Sequence, residues 1–183
     1  MMILASSSVV RAKLLKDFGV QFIQKPIDFD EDSLQTQDPK EFVYLAAMGK
    51  FQAALKQWGT QEPILAADTV VDVSGALQRK PSTQAQAQEF LKAQSGKHIQ
   101  ILTCIIYRSA KLEFIDIAAT KYVLKTFAPK DTEQYLLSGD WRNKAGGVMV
   151  EGFHKSYIKS QIGLESTALG LSVEKILPFL EII

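Results

Sequence analysis

Three short stretches carry side chains whose types and spacing suit chemistry on a charged substrate. Asp68 stands inside the apolar run "PILAADTVVDV", between Ala67 and Thr69, where an unpaired carboxylate would be costly to bury. It reads either as an aspartate capping a turn at a strand end, or as a catalytic carboxylate or metal ligand. The stretch "LASSSVVRAKLL" ends an apolar segment on Ser6, Ser7 and Ser8, then enters a helical pattern carrying Arg11 and Lys13. Hydroxyls ahead of a helix suit an N-cap cluster. Hydroxyls and free N–H groups beside first-turn cations also suit a phosphate, and the two readings are compatible. In "QRKP", Pro81 restricts Lys80 to extended backbone, a pattern too common to mean much alone.

These residues need elements to hold them. Met2–Ala5 reads as a short buried strand and Val9–Phe18 as a helix that Gly19 stops. "VQFIQKPI" predicts a second strand, followed by the acidic loop "DFDEDSLQTQD" and a helix from Pro39 through Trp58, with Phe42, Leu45, Ala46 and Ala53 inward. "PILAADTVVDV" predicts a β-branched strand run interrupted at "AAD", "SGA" a hairpin turn, and Ser82 or Thr83 the cap of a helix ending near Gln94. "IQILTCIIY" and "KLEFIDIAATKYVL" read as paired strands. A short helix over Asp131–Ser138, the loop "SGDWRNKAGGVMVEGF", a strand around Tyr157–Ile162 and a helix from Ser172 complete the chain. Alternating helices and β-runs with hairpin-type neighbours predict an α/β fold with a mixed sheet. Ligands are expected at the loops beyond its strand ends.

The 183 residues, 46% hydrophobic and 22% charged, suit one folded domain over 1–183, with neither disorder nor a repeat indicated. A formal net charge of +1, with no basic run interleaved with aromatics, argues against nucleic-acid binding. The single cysteine, Cys104, lies in an apolar run and suits a buried thiol. "MMILA" lacks the features of a targeting leader, and no apolar run approaches a membrane span, so a cytoplasmic location away from membranes is expected. P-loop, dinucleotide and hydrolase-elbow motifs are absent, and His98 and His154 lack zinc-ligand spacing.

The order "SSSVVR", Lys50, "ADTVV", "RKP", "QSG" and "NKAGG" resembles the Maf family of nucleotide pyrophosphatases over nearly the whole chain. The resemblance implies a twisted mixed sheet with flanking helices forming a two-lobed cleft. It also implies cleavage of nucleoside triphosphates between the α- and β-phosphates, assisted by Mg²⁺ or Mn²⁺. Carried over by position, Asp68 matches the catalytic proton acceptor. Ser8, Arg11, Lys50 and Lys80 match phosphate contacts, with Ser6 beside them in S-x-S, and Glu31 matches an acidic residue associated with the metal alongside Asp68. That assignment fits the chemistry, since anhydride hydrolysis needs cations around phosphate oxygens and a carboxylate for the attacking water.

The chain departs from the family's S-P-R-R at Val9 and Val10, which removes one phosphate or base contact. Three positions separate a subfamily preferring dTTP and UTP from one acting on 7-methyl-GTP, and here they are Val10, Thr69 and Glu151. Thr69 matches the first type, Glu151 the second, and Val10 neither. The expectation is dTTP/UTP-type activity with broadened base selectivity. The alternatives are a 7-methyl-GTP enzyme or a catalytically slow, nucleotide-binding regulator of septum formation. The expected partner is a nucleoside triphosphate, and a homodimer is compatible with the sequence.

Overall fold

The computed structural model describes residues 1–180. Seven strands form one mixed sheet: β1 (Met2–Leu4), β2 (Phe22–Gln24), β3 (Ile64–Val73), β4 (Ala76–Gln78), β5 (His98–Arg108), β6 (Glu113–Leu124) and β7 (Ile158–Ile162). Their order is β2-β1-β3-β5-β6-β7, with β4 added to β3. β1 runs parallel to β2 and β3, and the other pairings are antiparallel. Helices α1 (Val9–Asp17), α2 (Pro39–Trp58), α3 (Gln84–Gln94), α4 (Pro129–Ser138), α5 (Glu165–Ala168) and α6 (Val173–Leu180) accompany it. Among the described residues, no helix is long and apolar enough to cross a membrane.

The central strand β3 is buried on both faces, as expected of a strand covered by helices on each side. Ile64, Ala66 and Val70 pack with Phe42, Val43, Ala46 and Ala47 of α2, whereas Leu65 and Ala67 pack with Leu14 and Leu15 of α1 and Ile176 of α6. Val71 and Val73 join a third cluster with Leu91 of α3 and Trp141. Full burial of a Leu or Ile side chain stabilises by about 1.5–3 kcal/mol, so these clusters anchor the strand along its length. Cys104 lies wholly buried opposite Asp68.

One irregularity of the sheet matters most. β5 pairs with β3 from Ile64 to Asp72 along one edge. On the other edge β1 pairs only at Ile64 and Leu65, and β4 only from Val71 onward. Residues 66–70 therefore border a gap between β1 and β4, and Asp68 and Thr69 lie in its middle.

The structure corrects several sequence expectations. β3 runs continuously through "AAD", because the Asp68 carboxylate has an ion-pair partner and need not end the strand. β2 spans only Phe22–Gln24, since the three-residue β1 offers no longer partner. Ser74 and Gly75, with φ of 54° and 87°, form the hairpin turn, while Ala76 already belongs to β4. Helix α4 starts at Pro129, a favoured first position, rather than Asp131. The acidic loop contains a single 3-10 turn at Glu31–Ser33, and α5 forms in a segment without a helical signal of its own.

Candidate active site

The gap in the sheet opens into a cleft of about 650 Å³, which holds every site residue expected from the sequence: Ser6, Ser8, Val10, Arg11, Glu31, Lys50, Asp68, Thr69, Lys80 and Glu151. They arrive from the β1–α1 turn, the first turn of α1, the acidic loop, α2, β3 and the loop after β4, together with the loop following α4.

The serines of the β1–α1 turn cap the helix. Ser8 is the N-cap of α1, its Oγ accepting from the Arg11 backbone N–H at 3.2 Å. Ser6 Oγ accepts from the Ser8 N–H and from Arg11 Nη1, each at 3.2 Å. The N–H groups of Val9 and Val10, in the first turn, lack helical acceptors and lie at the cleft, where the N-terminal end of the helix favours negative charge.

Arg11 is held on three sides. Its Nε donates to the Gly170 carbonyl at 2.7 Å and its Nη2 to Thr69 Oγ1 at 3.2 Å, in addition to the Ser6 contact. Gly170 has φ of +102° and lies against both Thr69 and Arg11, so the backbone can approach the guanidinium closely. Burial lowers the Arg11 pKa, while Asp68 and Glu31 act to raise it.

Successive side chains of a strand point to opposite faces. Thr69 accordingly meets Arg11 from α1, while Asp68 meets Lys50 from α2. Lys50 Nζ bridges two carboxylates, Asp68 Oδ1 at 2.5 Å and Glu31 Oε1 at 2.6 Å. Partial burial would raise the Glu31 pKa, but Lys50 outweighs it, aided by Lys80 and Arg79, and holds the carboxyl below its usual value. Lys80 forms no salt bridge among the described residues. Desolvation in the cleft wall and the nearby Lys50 and Arg11 cations lower its pKa, against the opposing pull of Glu31 and Asp68.

Sequence reasoning missed what secures the acidic loop. Arg79 binds Asp32 at 2.7 Å and Glu31 at 3.4 Å, and lies over the Phe42 ring with 4.9 Å to its centroid. Phe29 occupies the space beside Gly49 so closely that a β-carbon there would come within 2.3 Å of its ring. Arg142, Asn143 and Lys144 also line the cleft; "NKAGG" marks their segment but not their roles.

Asp68 and Glu31 offer hard carboxylate oxygens converging on one ammonium, a donor set suited to Mg²⁺ or Mn²⁺ when substrate phosphates supply further oxygens. Among the described residues, no group of three or more His, Cys, Asp or Glu side chains could hold a metal unaided.

The fold is similar to that of the Staphylococcus aureus Ham1 protein, with a TM-score of 0.52 at 14% identity over 98% of this chain and 97% of that one. A HAM1 protein from Coxiella burnetii gives a TM-score of 0.50 at 19% identity, covering 100% and 98%. The seven-stranded mixed sheet with flanking helices, opening into a cleft, thus defines the fold class. Within it, the family model described as Maf-like protein matches residues 1–183, and the chain belongs to the Maf family. The chain is 48% identical over 175 residues to a protein of a Nitratiruptor species, covering 94% of this chain and 95% of that one. It is 46% identical over 181 residues to one of Helicobacter pylori, covering 99% and 95%. Both relatives are named nucleoside triphosphate pyrophosphatase.

Proposed function

We propose that the chain, acting as one domain over residues 1–183, hydrolyses a nucleoside triphosphate to the monophosphate and pyrophosphate in the cytoplasm. The observation that carries this reading is the Asp68–Lys50–Glu31 cluster facing Arg11 and Lys80 across a cleft of nucleotide size. Asp68 receives a proton from water as its oxygen attacks the α-phosphorus. The bond from that phosphorus to the bridging oxygen breaks, and pyrophosphate leaves with the electron pair. Lys50, Lys80 and Arg11 neutralise the charge on the phosphate oxygens, and the first turn of α1 with Ser6 and Ser8 receives a phosphate. A divalent cation on Asp68 and Glu31 would add charge neutralisation and orient the attacking water.

The hydrogen-bond directions around Thr69 sharpen the expectation about the base. Thr103 Oγ1 donates its one hydrogen to the Thr167 carbonyl at 2.8 Å, so the Thr69 hydroxyl must be the donor in their 2.9 Å contact. With Arg11 donating to Thr69 as well, Thr69 keeps only acceptor capacity for a ligand. An ionised Glu151 is likewise an acceptor. Acceptors call for donors on the base: guanine offers the adjacent N1–H and N2–H₂, uracil and thymine a ring N–H, and cytosine and adenine only their exocyclic amines. The dTTP/UTP-type reading rests on the match at Thr69, and the Glu151 acceptor keeps a methylated guanine nucleotide as the second substrate.

The test is product analysis with Mg²⁺ or Mn²⁺ across all common nucleoside triphosphates and 7-methyl-GTP. Pyrophosphate should appear, with UTP, dTTP and the guanine nucleotides ahead of CTP and ATP. Orthophosphate as the sole primary product would refute the reaction, and equal use of CTP and UTP would refute the base assignment.

A further inference from the structure

Three buried polar side chains outside the reactive cluster form a directed chain of hydrogen bonds. His154 and Gln94 are fully buried and Gln78 is nearly so. The Met149 backbone N–H donates to His154 Nδ1 at 3.1 Å, so Nδ1 carries no hydrogen and the neutral ring bears its hydrogen on Nε2. Nε2 then donates to Gln94 Oε1 at 2.9 Å, which fixes the orientation of the Gln94 amide. Its Nε2 donates to Gln78 Oε1 and to the Gly146 carbonyl, each at 2.8 Å. The chain therefore joins α3 to the end of β4, to the "KAGG" turn and to the loop after Met149.

Apart from α3, each segment it joins carries a cleft residue. Gln78 lies two positions before Lys80, and the Gly146 N–H donates to the Arg79 carbonyl at 2.9 Å. Gly146 follows Lys144 by two positions, and Glu151 lies between Met149 and His154, which are hydrogen-bonded to each other. A β-carbon at Gly146 would come within 3.1 Å of Gln78 Oε1, so the turn sits directly on the relay. Buried polar groups are costly unless bonded, and a fully satisfied network admits a single arrangement of its members. Loops that would otherwise adapt are thereby held in one register.

We propose that His154 is a positioning residue which, through Gln94, sets the cleft wall carrying Lys144 and Glu151 relative to Lys80. It touches no substrate and acts on binding through the "KAGG" turn. This inference rests on the pyrophosphatase reading for its kinetic consequence but not for its structural one. His154→Gln retains a donor toward Gln94, whereas His154→Leu removes it.

The test combines amide hydrogen exchange with kinetics of pyrophosphate release from UTP. His154→Leu should speed exchange across residues 144–152 at least tenfold while the amides of β3 and β5 stay protected. KM should rise roughly five- to twentyfold with kcat changed less, and His154→Gln should restore both. In the unmutated protein, the ¹⁵N spectrum of the imidazole should show the Nε2–H tautomer. Unchanged exchange in 144–152, protection lost equally over the whole sheet, or an Nδ1–H tautomer would each overturn the proposal. If His154→Leu does not fold, Gln94→Leu keeps the Met149–His154 bond and must give the same exchange and KM pattern, while the tautomer is read on the unmutated protein. If the unmutated protein releases no pyrophosphate, the reaction reading fails, and the exchange and tautomer results still decide the positioning role.

Discussion

Lys50 and Asp68 form an ion pair at 2.5 Å, with side chains only 13% and 7% exposed, in mid-strand where the sheet is open. The ammonium also serves Glu31, so neither carboxylate is an uncompensated charge. Replacing Asp68 by Asn keeps the side-chain volume and leaves Lys50 its Glu31 partner. Pyrophosphate release should fall by roughly 10²–10⁴-fold, the usual cost of losing a general base. The melting temperature should move little. Turnover within a factor of three of the original would show that Asp68 serves only the ion pair.

Lys50→Met leaves Asp68 without its cation and Glu31 with only its longer contact to Arg79. Allowing for the exposure of Glu31, the variant should lose about 2–3 kcal/mol at neutral pH as well as activity. Glu31 titrates below its ordinary value of 4.5, so its stabilising effect is present above that pH and is lost as pH falls through the lower folded value. Removing Lys50 removes this effect, and the stability gap between the two proteins should close on acidification below pH 4.5. Denaturant unfolding at a series of pH values checks this, and a constant gap contradicts it.

Lys80 makes the opposite case. Its lowered pKa means that the folded chain disfavours the ammonium relative to the unfolded chain, so below the unfolded value the charge works against stability. Lys80→Ala should therefore unfold no earlier than the parent protein while losing at least tenfold in kcat/KM. Thermal melts and pyrophosphate release measured together decide it, and a clear drop in stability would show that Lys80 has a structural partner.

Burial depresses the His154 pKa to about 3 from an ordinary 6.5. The neutral ring's contribution is complete above pH 6.5 and is lost progressively as the pH falls toward 3, by an amount on the order of a few kcal/mol. Its surroundings are Gln94, Met149 and the rings of Phe127, Tyr135 and Phe153, none of them a carboxylate that would stabilise the imidazolium. The unfolding free energy should decline between pH 6.5 and 4 more steeply in the parent protein than in His154→Gln. Parallel profiles would contradict this.

Much of this fold can be read in the residues, because long elements carry their own signals. Helix α2 begins at Pro39 behind the Asp38 cap and is stopped by the Gly59 cap, and β5 is a long run rich in β-branched and apolar residues. The continuity of β3 cannot be read, because it depends on a lysine eighteen positions upstream that only the folded chain brings to Asp68. Arg79 escapes notice for a similar reason: its partners, Glu31 and Asp32, lie in a loop without periodicity. Motif resemblance gathers the cations and carboxylates of the cleft. It says nothing of His154, Gln94 and Gln78, whose meaning comes from bond direction rather than spacing.

The opening beside residues 66–70 of β3 leaves a length of sheet edge uncovered, normally an invitation for another chain to add a strand and begin aggregation. Here β1 and β4 close the edge at both ends, leaving five residues, roughly 15 Å at the rise of a strand. A foreign strand finds too few successive partners there to gain a foothold, and the cations at the rim repel basic chains. A compact polyanion meets no such obstacle. The interruption thus lets the protein keep a raw edge at its centre, open to small solutes and shut to its own kind.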